Sequence, residues 1–368
     1  MLYEDYIIGF KSSQEGQKSK IIELSDKTSD GKERPWKMKK LSNEVLASAY
    51  EMYSEVCPSV MRSAMKRKAE LVRSCATFLE FTVVDGKKKL TAANFCRARL
   101  CPMCSWRRGL KLYGTARKIL NEAYNREPQG KALLLTLTVR NCEASELKRV
   151  IQRMSRAFSL MFRDSVSFKG IVGWIRNTEI THDIEMHITP DMYYGNKDKH
   201  IYSRKDYYKK NGLKIGDINP NYNLYHPHLH CLLFAGKDYF DKYYAKQEQF
   251  QKDWVTYYGD DGIADIRRIS LDGLAEVCKY VAKDSDYLKP DDMVATLMTV
   301  ATLEEQLKGL RLVAYGGLLK TIKKDLNIGD IEGNDVDLVE ADESSEASSD
   351  SPKVYYSWDT GLRAYKLD

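Results

Sequence analysis

The 368-residue sequence lacks any run of the roughly 18 apolar residues that a membrane-spanning helix requires. Its longest apolar stretch, around residues 132–135, has only the length of a strand. The first ten residues, MLYEDYIIGF, are acidic and lack the layout of a signal peptide. These absences predict a cytoplasmic protein without a membrane partner, whose eight cysteines are reduced.

The sequence also lacks internal repeats, and its composition excludes several classes of protein. With 43% hydrophobic and 30% charged residues, it is not collagenous, wholly disordered or stapled by disulfides. Its length fits two or three globular domains at about 150 residues each.

Charge is distributed unevenly along the chain, although the net charge is only +6. Residues 325–368 contain three Lys or Arg and twelve Asp or Glu, whereas residues 1–324 have a net charge of +15. A basic body favours polyanions such as nucleic acid, because contacts with phosphates release counterions. A solvated, lysine-rich surface explains the same charge equally well.

Three of the six histidines fall in one strand-like stretch, HPHLHCLLF at residues 226–234. Side chains alternate across a strand, so His228 and His230 share one face while the leucines point into a core. Two imidazoles at this spacing can hold a divalent cation, although a lone histidine is more often structural. His226 precedes Pro227 at the edge of the strand, and we leave it out of the ligand set.

Two imidazoles are too few for a metal site, and the sequence offers one carboxylate as a third ligand. Glu179 lies in the strand-like stretch WIRNTEIT. A carboxylate inside an apolar strand is costly unless a charge meets it, which favours Glu179 as a ligand. A surface glutamate on an edge strand is the equal alternative.

The segment SLDGLAEVCKYVAKDSDYL, residues 270–288, predicts a helix over 270–283. Glu276 and Tyr280 share a face of that helix because they are four residues apart, and Lys283 follows on it. A tyrosine hydroxyl can attack a phosphodiester that a metal polarises, and the glutamate can accept a proton. Tyr287, seven residues beyond Tyr280, is the alternative nucleophile, and most of the 24 tyrosines are expected to be structural.

Four cysteines with the spacing C-x20-C-x4-C-x2-C predict a tetrahedral structural zinc site, with reduced core cysteines as the alternative. They are Cys75, Cys96, Cys101 and Cys104. Basic and aromatic side chains around this turn suit contact with DNA. They are Arg97, Arg99, Trp106, Arg107, Arg108 and Lys111. Arg140, which ends the first predicted strand after Thr136 and Thr138, and Lys283 complete the predicted DNA-binding set.

The organisation of the chain is predicted from shifts in composition and periodicity. Four regions are expected: a disordered polar arm (1–40), a helical and zinc-binding module (41–125), a catalytic domain (126–324) and an acidic disordered tail (325–368). Strands are predicted over 131–139, 171–181, 225–235 and 263–269. Helices are predicted over 41–76, with a break at Cys57-Pro58, and over 113–124, 145–162 and 270–283. Residues 190–224 are expected to form a polar loop or hairpin insertion.

Taken in order, the strands LLLTLTVRN and HPHLHCLLF and the helix EVCKYVAKDSDYL resemble the rolling-circle replication initiators, or Rep proteins, of Gram-positive bacterial plasmids. These proteins belong to the HUH endonucleases. The resemblance runs over about residues 71–324 and includes FCRARLCPMCSWRRGLK and RLVAYGGLLK. It implies an α+β fold in which helices flank a central antiparallel sheet, beside a zinc-bearing N-terminal module and disordered tails.

The resemblance also implies roles for the residues already singled out. In the family, paired histidines bind the catalytic metal, Mn²⁺ or Mg²⁺. The resemblance assigns this role to His228 and His230. In the family, the tyrosine of the E-x-x-x-Y segment is the nucleophile, and its glutamate activates water when replication terminates. The resemblance assigns these roles to Tyr280 and Glu276, respectively. The family pattern does not fix the third ligand, so Glu179 stays an inference from the sequence.

The implied function is to bind and nick a plasmid origin, double-stranded or extruded as a single strand. Transesterification would leave a 5′-phosphotyrosine and a 3′-hydroxyl primer, and a second reaction would close the displaced strand. Host helicase and replication machinery are the implied partners, and a homo-oligomer stays open. One alternative is a zinc-dependent DNA-binding regulator without catalysis. The other is an HUH transposase or relaxase, although relaxases often carry the tyrosine near the N-terminus.

Overall fold

A computed structural model describes residues 22–28, 30–196, 201, 203–259, 262–269, 273–278, 287–333, 335–341 and 351–368. Its strands, in chain order, are β1 (Phe78–Val84), β2 (Lys87–Ala93), β3 (Lys131–Thr138), β4 (Ile171–Asp183), β5 (Leu224–Ala235), β6 (Ile263–Arg268), β7 (Val313–Gly316), β8 (Lys353–Asp359) and β9 (Ala364–Leu367). Its α-helices are α1 (Trp36–Val56), α2 (Ser59–Ser74), α3 (Pro102–Arg126), α4 (Leu147–Asp164), α5 (Pro190–Tyr194), α6 (Lys205–Lys210), α7 (Gln247–Tyr258), α8 (Leu274–Val277), α9 (Met293–Gln306) and α10 (Gly317–Asp325).

The described strands form two antiparallel sheets, which confirms the predicted mixture of helices with antiparallel β-structure. The larger sheet has the strand order β6-β3-β5-β4-β7, and the smaller one has the order β2-β1-β8-β9. In the larger sheet the long strands β4 and β5 pair from Ile171 with Ala235 to Asp183 with Leu224. Because β4 and β5 are central and long, their middle residues have strand neighbours on both sides.

Helices cover both faces of the larger sheet, which explains the nearly continuous apolar runs of its strands. Leu135, Leu229 and Leu233 on one face pack with α4 and α7 in one hydrophobic cluster. Leu134 and Leu232 on the other face belong to a second cluster that also includes residues of α3, α8 and α10. The histidines of β5 therefore lie on a face whose remaining part is apolar core.

The smaller sheet brings together residues 78–93 and residues 353–367, which are far apart in the sequence. Strand β8 pairs with β1, and β9 continues the sheet beyond it. Trp358 is buried and donates from Nε1 to Oε1 of Glu44 in α1 at 2.9 Å. The buried Tyr365 hydroxyl donates to the carbonyl oxygen of Ala76 at 2.6 Å. Strands β8 and β9 thus contact α1 and the residues that follow α2.

This arrangement corrects the prediction of a disordered tail over 325–368. Residues 351–368 include β8 and β9, which extend the smaller sheet and whose aromatic side chains Tyr356, Trp358 and Tyr365 are buried. Residues 335–341 are also held by contacts, since Val336 and Leu338 are buried in the core. The acidic composition of the region concealed this apolar alternation. Residues 342–350 lie outside the described part of the chain.

The prediction of a disordered arm over 1–40 is wrong for residues 22–40, and residues 1–21 lie outside the described part. The backbone N–H of Leu24 donates to the carbonyl oxygen of Tyr365 at 3.0 Å. The buried Trp36 opens α1, and its Nε1 donates to Asp26 at 2.7 Å. One buried aromatic and a strand-like contact with β9 are enough to order this polar segment.

The predicted strands and helices agree with the structure to within about five residues, with three differences, whereas β1, β2, β7, α7, α9 and α10 were not predicted. Helix α3 begins at Pro102 rather than 113, because the Cys101–Cys104 turn is continuous with it and Pro102 suits its first position. The insertion between β4 and β5 contains the short helices α5 and α6. Of the helix predicted over 270–283, the described part is α8, and residues 279–286 lie outside the description.

The larger hydrophobic cluster includes residues of the first helices, the larger sheet and the C-terminal segment. The domain boundary between 125 and 126 therefore stays a prediction. Among the described residues, no helix is long and apolar enough to cross a membrane.

Candidate active site and metal centre

Four cysteine sulfurs meet near the ends of α2 and β2 and the start of α3. Sγ of Cys75 lies 3.6 Å from Sγ of Cys104 and 3.6 Å from Sγ of Cys101. Sγ of Cys96 lies 3.7 Å from Sγ of Cys104. Zn–S bonds of about 2.3 Å place the sulfurs of a tetrahedral site about 3.8 Å apart. The observed spacing therefore matches a four-thiolate metal site.

The cysteine group is distinctive within the part of the chain that the structure describes. It alone brings the ligand atoms of three or more His, Cys, Asp or Glu side chains within 4.8 Å of one another. Cys75 follows α2, Cys96 follows β2, and Cys101 and Cys104 begin α3. The four thiols could hold a metal ion such as zinc, as their spacing in the sequence predicts.

Neighbouring polar groups surround the sulfurs. The backbone N–H of Arg97 donates to Sγ of Cys104 at 3.2 Å, and Sγ of Cys101 donates to Oδ1 of Asn43 at 3.3 Å. Burial raises the pKa of the Cys101 thiol, whereas hydrogen bonds from the other cysteines lower the pKa of Cys96. Lys40 is buried close by and donates to the carbonyl oxygen of Cys75 at 3.0 Å. A dication binds thiolates, so metal binding here would release the thiol protons.

The predicted histidine pair lies in the middle of β5. His228 pairs with Glu179 of β4, and His230 pairs with Asn177, so the four side chains share one face of the sheet. The rings of His228 and His230 have centroids 6.0 Å apart and an interplanar angle of 17°. The alternation predicted for this strand is confirmed, since Leu229, Cys231 and Leu233 point to the opposite core.

Glu179 is buried rather than placed on an exposed edge strand, which was the alternative. Its Oε2 lies 2.9 Å from Nε2 of His230. Nδ1 of the same ring lies 3.5 Å from Oγ1 of Thr136 on the neighbouring strand β3. Two imidazoles and a carboxylate on one face form a donor set that suits a divalent cation. These three side chains suit a cation by their chemistry and by their position on one face of the sheet. Their ligand atoms lie farther apart than the four cysteine sulfurs do.

Helix α8, which precedes the predicted nucleophile, contacts the sheet face that carries the histidines. Nδ2 of Asn177 donates to the carbonyl oxygen of Val277 at 3.1 Å, and both residues are fully buried. Asn177 is also the strand partner of His230. The backbone of Glu276, in α8, is therefore fixed one residue from this contact. Tyr280 and Lys283 lie outside the described residues.

Tyr287, the alternative nucleophile, is held elsewhere by its hydroxyl group. The side chain is buried, with 2% of its surface exposed. Its hydroxyl donates to the carbonyl oxygen of Leu100, beside the cysteine group, at 2.6 Å. A phenol engaged in this way is a structural link between two segments.

Two of the arginines predicted to contact DNA have a different role. Arg107 is fully buried, and its Nε donates to the carbonyl oxygen of Leu338 at 2.9 Å. Arg108 is 3% exposed and donates from Nη1 to the carbonyl oxygen of Ala98 at 3.2 Å. The prediction of DNA contacts by Arg107 and Arg108 does not fit this geometry, because their guanidinium groups are used to hold backbone segments together.

Among the other predicted DNA-binding residues, some contact the protein backbone and others are partly or fully exposed. Nε of Arg97 donates to the carbonyl oxygen of Val336 at 3.1 Å, and Nη1 of Arg99 donates to that of Leu307 at 2.6 Å. Trp106 is half-buried and packs edge-on against Trp36. Lys111 is half-buried and Arg140 is exposed, so both stay predictions.

Comparison with known proteins shows to which family the chain belongs. The sequence matches the family described as "Replication protein" over residues 87–366, which is most of the chain. The chain belongs to this Rep family. The resemblance that the ordered motifs indicated is thereby confirmed.

Several curated Rep relatives match almost end to end. The "Protein rep" of Bacillus amyloliquefaciens is 32% identical, over 94% of this chain and 97% of the relative. The "Protein rep" of Lactiplantibacillus plantarum is 31% identical, over 94% of this chain and 99% of the relative. A "Protein rep" of Streptococcus pneumoniae is 29% identical over 93% of this chain. No solved structure matches the chain significantly.

Sequence reasoning missed one residue at the candidate site of this Rep protein, namely Asn177. It stands two positions before Glu179 on β4, and period-two alternation puts both on the same face. A polar amide flanked by Arg176 and Thr178 within a buried strand was the available signal. Its partner Val277 is 100 residues away in the chain, so the contact itself had no signature.

Proposed function

We propose that this Rep protein initiates rolling-circle plasmid replication by nicking one strand of its origin and later rejoining the displaced strand. The observation that carries the proposal is the contact between Asn177 and Val277, which joins the histidine face to the segment that leads to the tyrosine. Family membership and the basic body, with a net charge of +15 over residues 1–324, support origin DNA as the partner.

His228, His230 and Glu179 are the proposed ligands of a divalent cation, Mn²⁺ or Mg²⁺. A cation bound there would supply Lewis-acid polarisation of the scissile phosphate. The protein's own contribution is a rigid donor set, because the three side chains project from paired central strands. Burial of His230 and Glu179 excludes bulk water, which strengthens electrostatic interactions at this face.

Tyr280 is the proposed nucleophile. It follows Val277 by three residues, and three residues of extended chain span at most about 11 Å. Oη would attack the scissile phosphorus and lose its proton, while the bond from phosphorus to the 3′ oxygen breaks. The DNA then carries a 3′-hydroxyl after protonation, and its 5′ end is linked to Tyr280. Glu276 would accept a proton from water when the final 5′-phosphotyrosine is hydrolysed.

The cysteine group is proposed to bind structural Zn²⁺. The sulfur spacing of 3.6–3.7 Å supports this assignment over unrelated core thiols. Zinc would join the ends of α2, β2 and the start of α3, and therefore fix the module on which Tyr287 is anchored through Leu100.

The alternative of a DNA-binding regulator without catalysis loses much of its support. It rested on the arginine cluster around the cysteines, and Arg107 and Arg108 are buried. An HUH transposase or relaxase is less well supported than an initiator by the nearly full-length match to Rep proteins.

The proposed reaction can be tested by incubating the protein and Mn²⁺ with a supercoiled plasmid that carries the DNA flanking its coding sequence. We expect a nicked circle with protein attached to the 5′ end, and peptide mapping should find the adduct on Tyr280. Tyr280→Phe should abolish the adduct while retaining origin binding, whereas Tyr287→Phe should form it. An adduct on Tyr287, or nicking by Tyr280→Phe, would overturn the assignment of the nucleophile.

The ligand assignment has its own test. Glu179→Gln keeps the shape of the side chain and removes the charge, and we expect it to raise the Mn²⁺ concentration needed for half-maximal nicking by at least tenfold. His226→Gln is the matched control on the same strand, and should leave this concentration unchanged. Equal effects of both variants would contradict the proposed ligand set.

A further inference from the structure

A forty-residue insertion, residues 184–223, separates β4 and β5, the long paired strands of the larger sheet. It leaves β4 after Asp183 and returns at Leu224, and these two residues pair. Glu179 and His228 pair four positions further into the sheet, or about 13 Å at the usual rise of a strand. The insertion therefore rises from the end of the strands that carry the candidate site.

The described part of the insertion is built as a compact unit. Ile188, Met192 and Tyr208 form a hydrophobic cluster of their own. The rings of Tyr193 and Tyr208 stack with centroids 5.7 Å apart. Arg204 pairs with Asp183 at 2.6 Å, which ties the unit to the end of β4. A preformed surface loses little conformational entropy when it binds a ligand.

Tyrosines and lysines are exposed on this unit. Tyr194 is 61% exposed and Tyr207 is 45% exposed. Lys209, Lys210 and Lys214 are exposed and form no ion pair with any other described residue. Exposed aromatic rings beside unpaired cations are the two elements with which proteins bind single-stranded nucleic acid.

Asp183 beside the unit and two acidic residues within it are engaged in contacts, whereas Asp206 is exposed. Asp183 pairs with Arg204, and Glu185 pairs with Lys289, just beyond the tyrosine segment. Oδ2 of Asp217 accepts the backbone N–H of Lys214 at 2.7 Å. Carboxylates held in internal contacts contribute less repulsion to an approaching phosphate than free ones.

We propose that the insertion binds single-stranded DNA next to the scissile phosphate, with bases stacked on Tyr194 and Tyr207 and phosphates contacted by Lys209, Lys210 and Lys214. The inference rests on the proposed nicking function, because that reaction requires an unpaired strand at the histidine face. Duplex DNA fits the surface less well, since its bases are stacked on each other and offer no free ring faces. The insertion thus holds the strand that the catalytic residues cleave.

Binding of a fluorescently labelled oligodeoxythymidylate tests the inference on the full-length protein. We expect Tyr194→Ala/Tyr207→Ala to weaken binding by at least about fivefold, the lower bound for loss of one stacked base. Tyr194→Trp/Tyr207→Trp should bind at least as well as the wild type. Lys209→Ala/Lys210→Ala/Lys214→Ala should reduce the slope of log K against log salt by about 2, at about 0.7 per phosphate contact.

The chain offers a closely matched control. Tyr243 and Tyr244 are 43% and 60% exposed, and they follow the opposite end of β5. Tyr243→Ala/Tyr244→Ala should leave oligodeoxythymidylate binding unchanged. Equal losses in both double variants would show a general effect of surface tyrosines and overturn the inference.

Two outcomes separate the insertion from the proposed reaction. If the insertion variants bind the oligonucleotide normally while Tyr280→Phe abolishes the covalent adduct, the inference fails and the nicking function stands. If the insertion variants lose binding only to a duplex of the same length, the surface binds double-stranded DNA and the inference also fails. Loss of oligonucleotide binding with a normal circular dichroism spectrum is the result that supports it.

Discussion

Nδ2 of Asn177 in β4 donates a hydrogen bond, 3.1 Å long, to the carbonyl oxygen of Val277 in α8. Asn177 lies beside His230 in the sheet, and Val277 precedes the predicted nucleophile by three residues. Both side chains are fully buried, so the bond is shielded from competing water. The bond therefore fixes the backbone of Val277, and we expect Asn177 to act as a positioning residue for the predicted nucleophile.

Replacement of Asn177 by aspartate should slow DNA cleavage more than it weakens DNA binding. The carboxylate keeps the shape of the side chain but cannot donate to Val277, and an unsatisfied buried group costs about 1–3 kcal/mol. We expect at least a tenfold lower rate of adduct formation with an unchanged affinity for origin DNA. Asn94→Asp, which removes a similar amide bond to the carbonyl oxygen of Ser74, is the control. Parallel losses of binding and cleavage would indicate general misfolding instead.

Purified protein should contain one tightly bound zinc ion, and Cys104→Ser should lack it. Cys104 has two other cysteine sulfurs within 3.7 Å, so its loss opens the tetrahedron. Because zinc binding contributes directly to folding, the variant and the chelator-treated wild type should both melt at lower temperature. Elemental analysis and thermal unfolding measure these effects. Cys142→Ser, outside the group, should retain the metal, and a metal-free wild type of normal stability would contradict the assignment.

Acidification should destabilise the protein through His182. Burial lowers the pKa of this histidine below its ordinary value of 6.5, because the charged imidazolium is poorly solvated between Tyr225 and Thr299. Unfolding lets the ring take up a proton, so the free energy of unfolding falls as the pH drops below 6.5. Urea unfolding at several pH values should show this loss, and it should be smaller in His182→Phe. The same pH dependence in both proteins would exclude His182 as the cause.

Truncation of Trp358 should destabilise the module that contains the cysteines. The side chain is 8% exposed and bridges β8 and α1 through Glu44. Large-to-small changes of a buried tryptophan cost about 3–5 kcal/mol. We expect Trp358→Ala to lower the free energy of unfolding by about 3 kcal/mol or more. Leu362→Ala, at a site that is 46% exposed, should change it by less than about 0.5 kcal/mol.

The local parts of the candidate site could be predicted from the sequence. The spacing of the four cysteines predicts a cluster that the structure brings together. The alternation in β5 places His228 and His230 on one face, as strand geometry requires. Glu179 was one of two equal interpretations, and its burial beside His230 favours the role of ligand.

Other features depend on contacts between distant segments, which no local pattern encodes. Arg107 lies in a basic run that is typical of DNA contact, yet its partners are carbonyl oxygens more than 200 residues away. The acidic composition of 325–368 predicts disorder, whereas the strand at 353–359 is stabilised by pairing with β1. In both cases tertiary contacts override the local tendency of the sequence.

The pairing of Phe78 with Ser357 places the final strands of the chain next to some of the first. During synthesis, β1 and the four cysteines leave the ribosome long before β8 exists. A nascent or prematurely terminated chain therefore carries every ligand of the cysteine group but lacks the strand that completes their sheet. The smaller sheet can therefore be completed only after residues 353–359 have been synthesised.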